Sequence, residues 1–140
     1  MIYLDTSVLV AALTREPATE RVQVWLAEQE AGALAISGWT HLEFAAALRF
    51  KQATHQIDPV RREAAASQFA AIAETALTTW PVEIADFEEA QRLAGWDEAA
   101  LRGPDALHVA IATRRNATLC TLDERVLRAC ELAGHPTVRP

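Results

Sequence analysis

Cysteine is scarce in this sequence. Its 140 residues contain two, Cys120 and Cys130, with no CxxC pair and no Cys/His spacing of the kind that holds zinc. Both sit among apolar neighbours, so they read as buried thiols and not as a disulfide framework. Positive charge is also short: 13 Lys and Arg stand against 19 Asp and Glu, a formal net charge of −6. That argues against a broad basic face for gripping nucleic acid, but not against an enzyme that reaches phosphate through a bound cation. Long apolar runs are missing too. The apolar start, Ile2–Leu13, carries Asp5 in its middle and has no basic residues ahead of it, which argues against a signal peptide. Nothing approaches the roughly 20 apolar residues of a membrane span. A cytoplasmic protein with no membrane association is expected. No linker-like stretch or repeat divides the chain, so residues 1–140 read as a single domain.

Hydrophobic residues make up 51% of the chain, enough for an ordinary core. They alternate between strand-like and helix-like segments. Ile2–Asp5 reads as a strand, with Thr6 or Ser7 capping a helix to about Arg15. Pro17 opens a second helix, and Ala33–Ser37 reads as the next strand. Helices are predicted over Thr40–Lys51 and Asp58–Ala76, the latter with Asp as cap and Pro in its first turn. A short strand over Leu77–Val82 and a helix over Asp86–Leu93 follow. Gly103-Pro104 starts a helix leading into a strand at Ala117–Thr121, then a helix over Asp123–Leu132 and an edge strand at Pro136–Arg139. Strands joined by helical crossovers imply an α/β fold, a mostly parallel sheet with helices on both faces.

Three carboxylates stand out. Asp5 in Tyr3-Leu4-Asp5-Thr6-Ser7-Val8-Leu9, Glu43 in Leu42-Glu43-Phe44-Ala45-Ala46-Ala47 and Asp105 in Gly103-Pro104-Asp105-Ala106-Leu107 are lone acids in apolar surroundings. A buried carboxylate needs hydrogen bonds, a base, a proton or a metal. Taken singly, each has a plainer explanation: Asp5 as a helix cap, Asp105 on a helix dipole, Glu43 turned outward. Taken together they share a place. Asp5 ends a strand, Asp123 follows the end of another, and Glu43 lies in the first turns of the helix leaving the second strand. All three fall at the carboxyl edge of a parallel sheet, where open α/β folds keep their crevices. A simple crossover starts the Asp105 helix at the opposite edge, so Leu101–Pro104 must first bring the chain back. Four carboxylates in one crevice repel each other unless cations intervene, and all-oxygen ligation favours Mg²⁺ or Mn²⁺. That arrangement suits phosphodiester hydrolysis.

At these residues the chain resembles PIN-domain ribonucleases, specifically VapC-type toxins of type II toxin–antitoxin systems. The matching segments are Tyr3–Leu9, His41–Leu48, Leu101–Ala110 and Ala117–Asp123, in order and across nearly the whole chain. The resemblance implies a PIN-like three-layer α/β/α sandwich with a short, mostly parallel central sheet. It implies Mg²⁺- or Mn²⁺-dependent endoribonuclease activity by an acidic quartet that falls on Asp5, Glu43, Asp105 and Asp123. Thr6, Ser7 and Thr121 become polar helpers, and the implied partners are an RNA substrate, a cognate antitoxin and a second copy in a homodimer. Some members carry a further acid where this chain has Arg125, so one tightly held metal is the expectation. Arg102, three residues before Asp105, is the favoured RNA contact.

Other constellations are weaker. Asp5-Thr6-Ser7 also resembles a nucleophilic-aspartate strand end, but that chemistry wants a second Asp where Ser7 stands. No GxSxG elbow or P-loop is present. His108, three places after Asp105 on one helix, could sit near the pocket, although a histidine there more often belongs to the core. The competing functional class is a catalytically silent PIN-like binding module acting through its partner. Finally, Phe44, Leu48, Phe50, Phe69 and Ile72 exceed what can be assigned to the core, which predicts an antitoxin groove on the hairpin of Thr40–Lys51 and Asp58–Ala76.

Overall fold

The computed structural model describes residues 1–140. Five strands, β1 (Ile2–Leu4), β2 (Leu34–Ser37), β3 (Thr78–Trp80), β4 (Thr118–Cys120) and β5 (Thr137–Val138), form one sheet in the order β3-β2-β1-β4-β5. Every neighbouring pair is parallel. The helices are α1 (Thr6–Leu13), α2 (Thr19–Ala27), α3 (Gly38–Ala53), α4 (Pro59–Thr75), α5 (Ile84–Ala94), α6 (Gly103–Arg114) and α7 (Glu124–Ala133).

The strands are so short that each sends only one or two side chains to either face, and their two-residue alternation divides the core. Tyr3, Ala35 and Leu119 point to one face, where they pack with α5, α6 and α7. Leu4, Ile36 and Cys120 point to the other, where they meet α1, α2, α3 and α4. The result is the expected three-layer α/β/α sandwich, its sheet wholly parallel. From β1 the chain builds outward through β2 to β3, and later fills the other side with β4 and β5. The carboxyl ends of β1 and β4 therefore meet at the point where strand order reverses, the usual place for an α/β crevice.

Two sequence expectations are corrected. The return of the chain before Asp105 is made by α5, not by Leu101–Pro104. Asp86 in the first turn of α5 is bonded to Arg114 and Arg115 at the end of α6, while Ala90 and Ala94 lie beside Gly103 and Leu107. The two helices are antiparallel, and α6 starts at the crevice edge. The apolar excess on α3 and α4 is also smaller than expected. Phe44, Leu48 and Phe69 are core residues, with Phe44 and Phe69 rings 4.4 Å apart, and only Phe50 and Ile72 of that set are exposed.

Candidate active site

Asp5 follows directly on β1. Its backbone N–H donates to the Cys120 carbonyl at 2.9 Å, which extends the β1–β4 ladder by one residue. Its side chain is buried and caps α1 by accepting from the Ser7 N–H at 3.2 Å, the plainer role the sequence allows Asp5, in place of Thr6 or Ser7 as cap. Capping does not exhaust the carboxylate. Its Oδ2 also accepts from the Ser7 hydroxyl at 3.0 Å and from the Thr121 hydroxyl across the sheet. Ser7 Oγ in turn accepts from the Leu122 N–H, and Thr121 Oγ1 from the Asp123 N–H, both at 3.1 Å. Ser7 and Thr121 thus clamp Asp5 to the loop after β4.

Glu43 projects from α3, whose start is fixed by a capping box between Ser37 and Thr40. Its Oε2 accepts from the Thr6 hydroxyl at 2.8 Å and contacts His108 Nε2 at 2.6 Å. His108 Nε2 lies 3.6 Å from Asp5 Oδ1 as well. Asp5, Glu43 and His108 therefore present ligand atoms within 4.8 Å of one another, a set that could hold a metal ion. Asp105 and Asp123 do not enter this tight group. Asp123 caps α7 by accepting from the Arg125 N–H at 2.7 Å, and it lines a crevice of about 440 Å³ with Thr6, Ser7, Glu43 and Glu16. Arg102 sits exposed at the cap of α6.

Electrostatics ties the outer acids to the inner ones. Burial raises the Asp105 carboxyl above its ordinary value, and the charges of Asp123, Asp5 and Glu43 raise it further. For His108, burial works against the imidazolium. The Glu43 hydrogen bond and the charges of Asp5, Glu43 and Asp105 outweigh it, and the pKa is raised. His108 is the only base within salt-bridge range of Asp5 and Glu43. Nearby Glu16 is already paired with Lys51 at 2.6 Å. Oxygen donors with a surplus of negative charge and no thiolate fit a hard divalent cation. The cysteines take no part: burial, with the Asp5 charge, pushes the Cys120 thiol up to about 12, and burial pushes the Cys130 thiol to about the same value.

Sequence reasoning left His108 between core and pocket; the structure makes it both. It missed Glu16 at the crevice wall and Tyr3, the only tyrosine, whose hydroxyl bonds His108 Nδ1 at 3.0 Å. The signal for Tyr3 is its polar tip in a strand otherwise apolar up to Asp5.

The family model for the PIN domain matches residues 2–132 of the chain. No curated protein matches it in sequence. Among solved structures, VapC20 of Mycobacterium tuberculosis, a sarcin-ricin-loop-cleaving toxin, superposes with a TM-score of 0.76 at 20% identity, covering 100% of both chains. VapBC2 of Rickettsia felis, solved on a DNA fragment from its promoter, gives 0.69 at 19% identity, covering 99% of this chain and 98% of that one. A toxin–antitoxin complex from Klebsiella pneumoniae gives 0.61 at 19% identity, covering 88% of this chain and 87% of that one. No helix of the chain is long and apolar enough to cross a membrane.

Proposed function

The chain belongs to the PIN-domain family, and on that footing we propose that it is a divalent-metal-dependent endoribonuclease, the toxin of a toxin–antitoxin pair. The observation that carries this reading is the convergence of acids from four distant segments on one sheet edge, with one histidine and no arginine or lysine bonded to the inner pair. Three solved structures of similar fold belong to toxins or their complexes, and one of those toxins cleaves the sarcin-ricin loop. These likenesses support RNA as substrate and a cognate antitoxin as partner.

In this reading Asp5 and Glu43 would hold Mg²⁺ or Mn²⁺, with Asp105 and Asp123 completing the quartet. Such an ion would supply positive charge for the scissile phosphate and for an attacking water. The chain supplies orientation. Ser7 and Thr121 fix Oδ2 of Asp5, and Thr6 fixes Oε2 of Glu43. Arg102 at the cap of α6 contacts the RNA backbone. The protein acts in the cytoplasm as a homodimer.

The test is cleavage of total RNA by purified protein with EDTA, then with Mg²⁺ or Mn²⁺ restored. Cleavage is expected only with the metal, and Asp5→Asn is expected to lower it by more than about 100-fold. Cells should tolerate expression of that variant. Undiminished cleavage by Asp5→Asn sinks the proposal, and binding of a partner with no cleavage under any ion favours the silent binding module.

A further inference from the structure

The imidazole of His108 sits at the end of a buried hydrogen-bonded chain that leads straight to Glu43. Ser37 Oγ lies 2.7 Å from the Tyr3 hydroxyl, the Tyr3 hydroxyl 3.0 Å from His108 Nδ1, and His108 Nε2 2.6 Å from Glu43 Oε2. Tyr3 is fully buried and His108 is 2% exposed. The Tyr3 ring is held from the other side by Trp80, stacked on it at 5.6 Å and 4°. Each member of the chain comes from a different element: β1, the end of β2, α3 and α6.

We infer that His108 is a positioning residue that sets the Glu43 carboxylate for the divalent ion. The inference rests on the metal-dependent reading above and deepens it. The direction of the Nε2–H bond carries it. A carboxylate only accepts, so the 2.6 Å contact to Glu43 Oε2 puts the proton of a neutral imidazole on Nε2, and Nδ1 is then the acceptor for the Tyr3 hydroxyl. When the imidazole is charged, both ring nitrogens carry protons and Nε2–H still faces Glu43. The bond is therefore the same in either state. Thr6 donates to the same oxygen at 2.8 Å, so Oε2 is bound twice while Oε1 accepts nothing from the protein. A carboxylate held by one oxygen has the other free for a cation, the arrangement in which outer-shell partners tune metal affinity.

The length of the side chain at position 108 gives the test. Gln places its amide N–H near the position of Nε2 and can still reach Glu43. Asn places its amide near Nδ1, reaching Tyr3 but not Glu43. Mn²⁺ binding to the full chain is measured by electron paramagnetic resonance and by calorimetry, beside unfolding midpoints and kcat and KM for RNA cleavage. His108→Asn is expected to weaken Mn²⁺ binding about 10- to 100-fold and to lower kcat with KM for RNA unchanged. His108→Gln is expected to restore most of both. Tyr3→Phe, which keeps the ring and its packing, should weaken Mn²⁺ binding less than His108→Asn. Equal Mn²⁺ affinity in wild type and His108→Asn overturns the inference and leaves the nuclease reading standing. So does a pair of variants that lose stability alike with no difference in Mn²⁺ affinity. A wild type that binds no Mn²⁺ overturns the nuclease reading, and the inference with it.

Discussion

Asp86 and Asp5 are both buried aspartates in the opening of a helix, and the fold surrounds them in opposite ways. Asp86 is fully buried and receives Arg114 at 2.5 Å and Arg115 at 2.9 Å, with the Glu83 backbone N–H at 2.8 Å. Burial alone would raise its carboxyl, but these bonds, Arg115 first, outweigh it and hold the pKa below the ordinary value. Asp5 has hydroxyls, a backbone N–H and one histidine, with three further acids nearby. Arg115 also lies over the Trp80 ring at 5.5 Å and donates to the Pro81 carbonyl. The Asp86 cluster therefore joins α5, α6 and the end of β3. The same residue type serves as a closed structural anchor in one place and as an open anionic site in the other.

The contrast breaks most severely at Asp86. Asp86→Ala takes the shared carboxylate from two guanidinium groups, leaving Arg114 with Glu83 and Arg115 with the Ile111 and Pro81 carbonyls; because both also retain some solvent access, the expected loss is about 3 kcal/mol, the low end for a broken buried pair. Urea unfolding measures it, and a loss under about 1 kcal/mol would mean the arginines find water instead. Next in size is the response to metal. At Mn²⁺ a hundredfold above its Kd, the wild type and Asp86→Asn should each gain about 2.7 kcal/mol over their metal-free forms. Asp5→Asn should gain nothing.

Acid titration sharpens the comparison further. The depressed pKa of Asp86 contributes stability that is present above the unfolded carboxylate range and is lost as pH falls through the folded value. Asp105 has the opposite sign: its raised pKa makes the carboxylate unfavourable in the fold, so lowering the pH through that value relieves strain. Metal-free wild type should lose stability more steeply in acid than Asp86→Asn, as followed by urea midpoints from neutral pH downward. The smallest effect is Asp105→Asn, expected to raise metal-free stability by less than about 1 kcal/mol while weakening Mn²⁺ binding.

Much of this was legible in the residues because the fold is built from local signals. Asp58-Pro59 starts α4 as read, and Asp5 lies at a strand end as read. Asp86 escaped notice because Glu83, Glu88 and Glu89 around it look like a solvated face; only the packing of α6 across that turn reveals its burial. The route of α5 escaped for a related reason. Periodicity fixes that a helix exists and which face is apolar, but not which way it runs relative to its neighbour. His108 was ambiguous because an apolar helix face does not say what lies opposite, and here what lies opposite is the tip of Tyr3 from another element.

The ladder between β1 and β4 has a temporal consequence. Asp5 and the Thr121 hydroxyl that clamps it are 116 residues apart, so the first is synthesised well before the second. A nascent polypeptide emerging from the ribosome can fold α1 to α4 against β1 and β2 with the crevice still missing one wall. Translation itself thus leaves the site incomplete until β4 and the loop after it have been made.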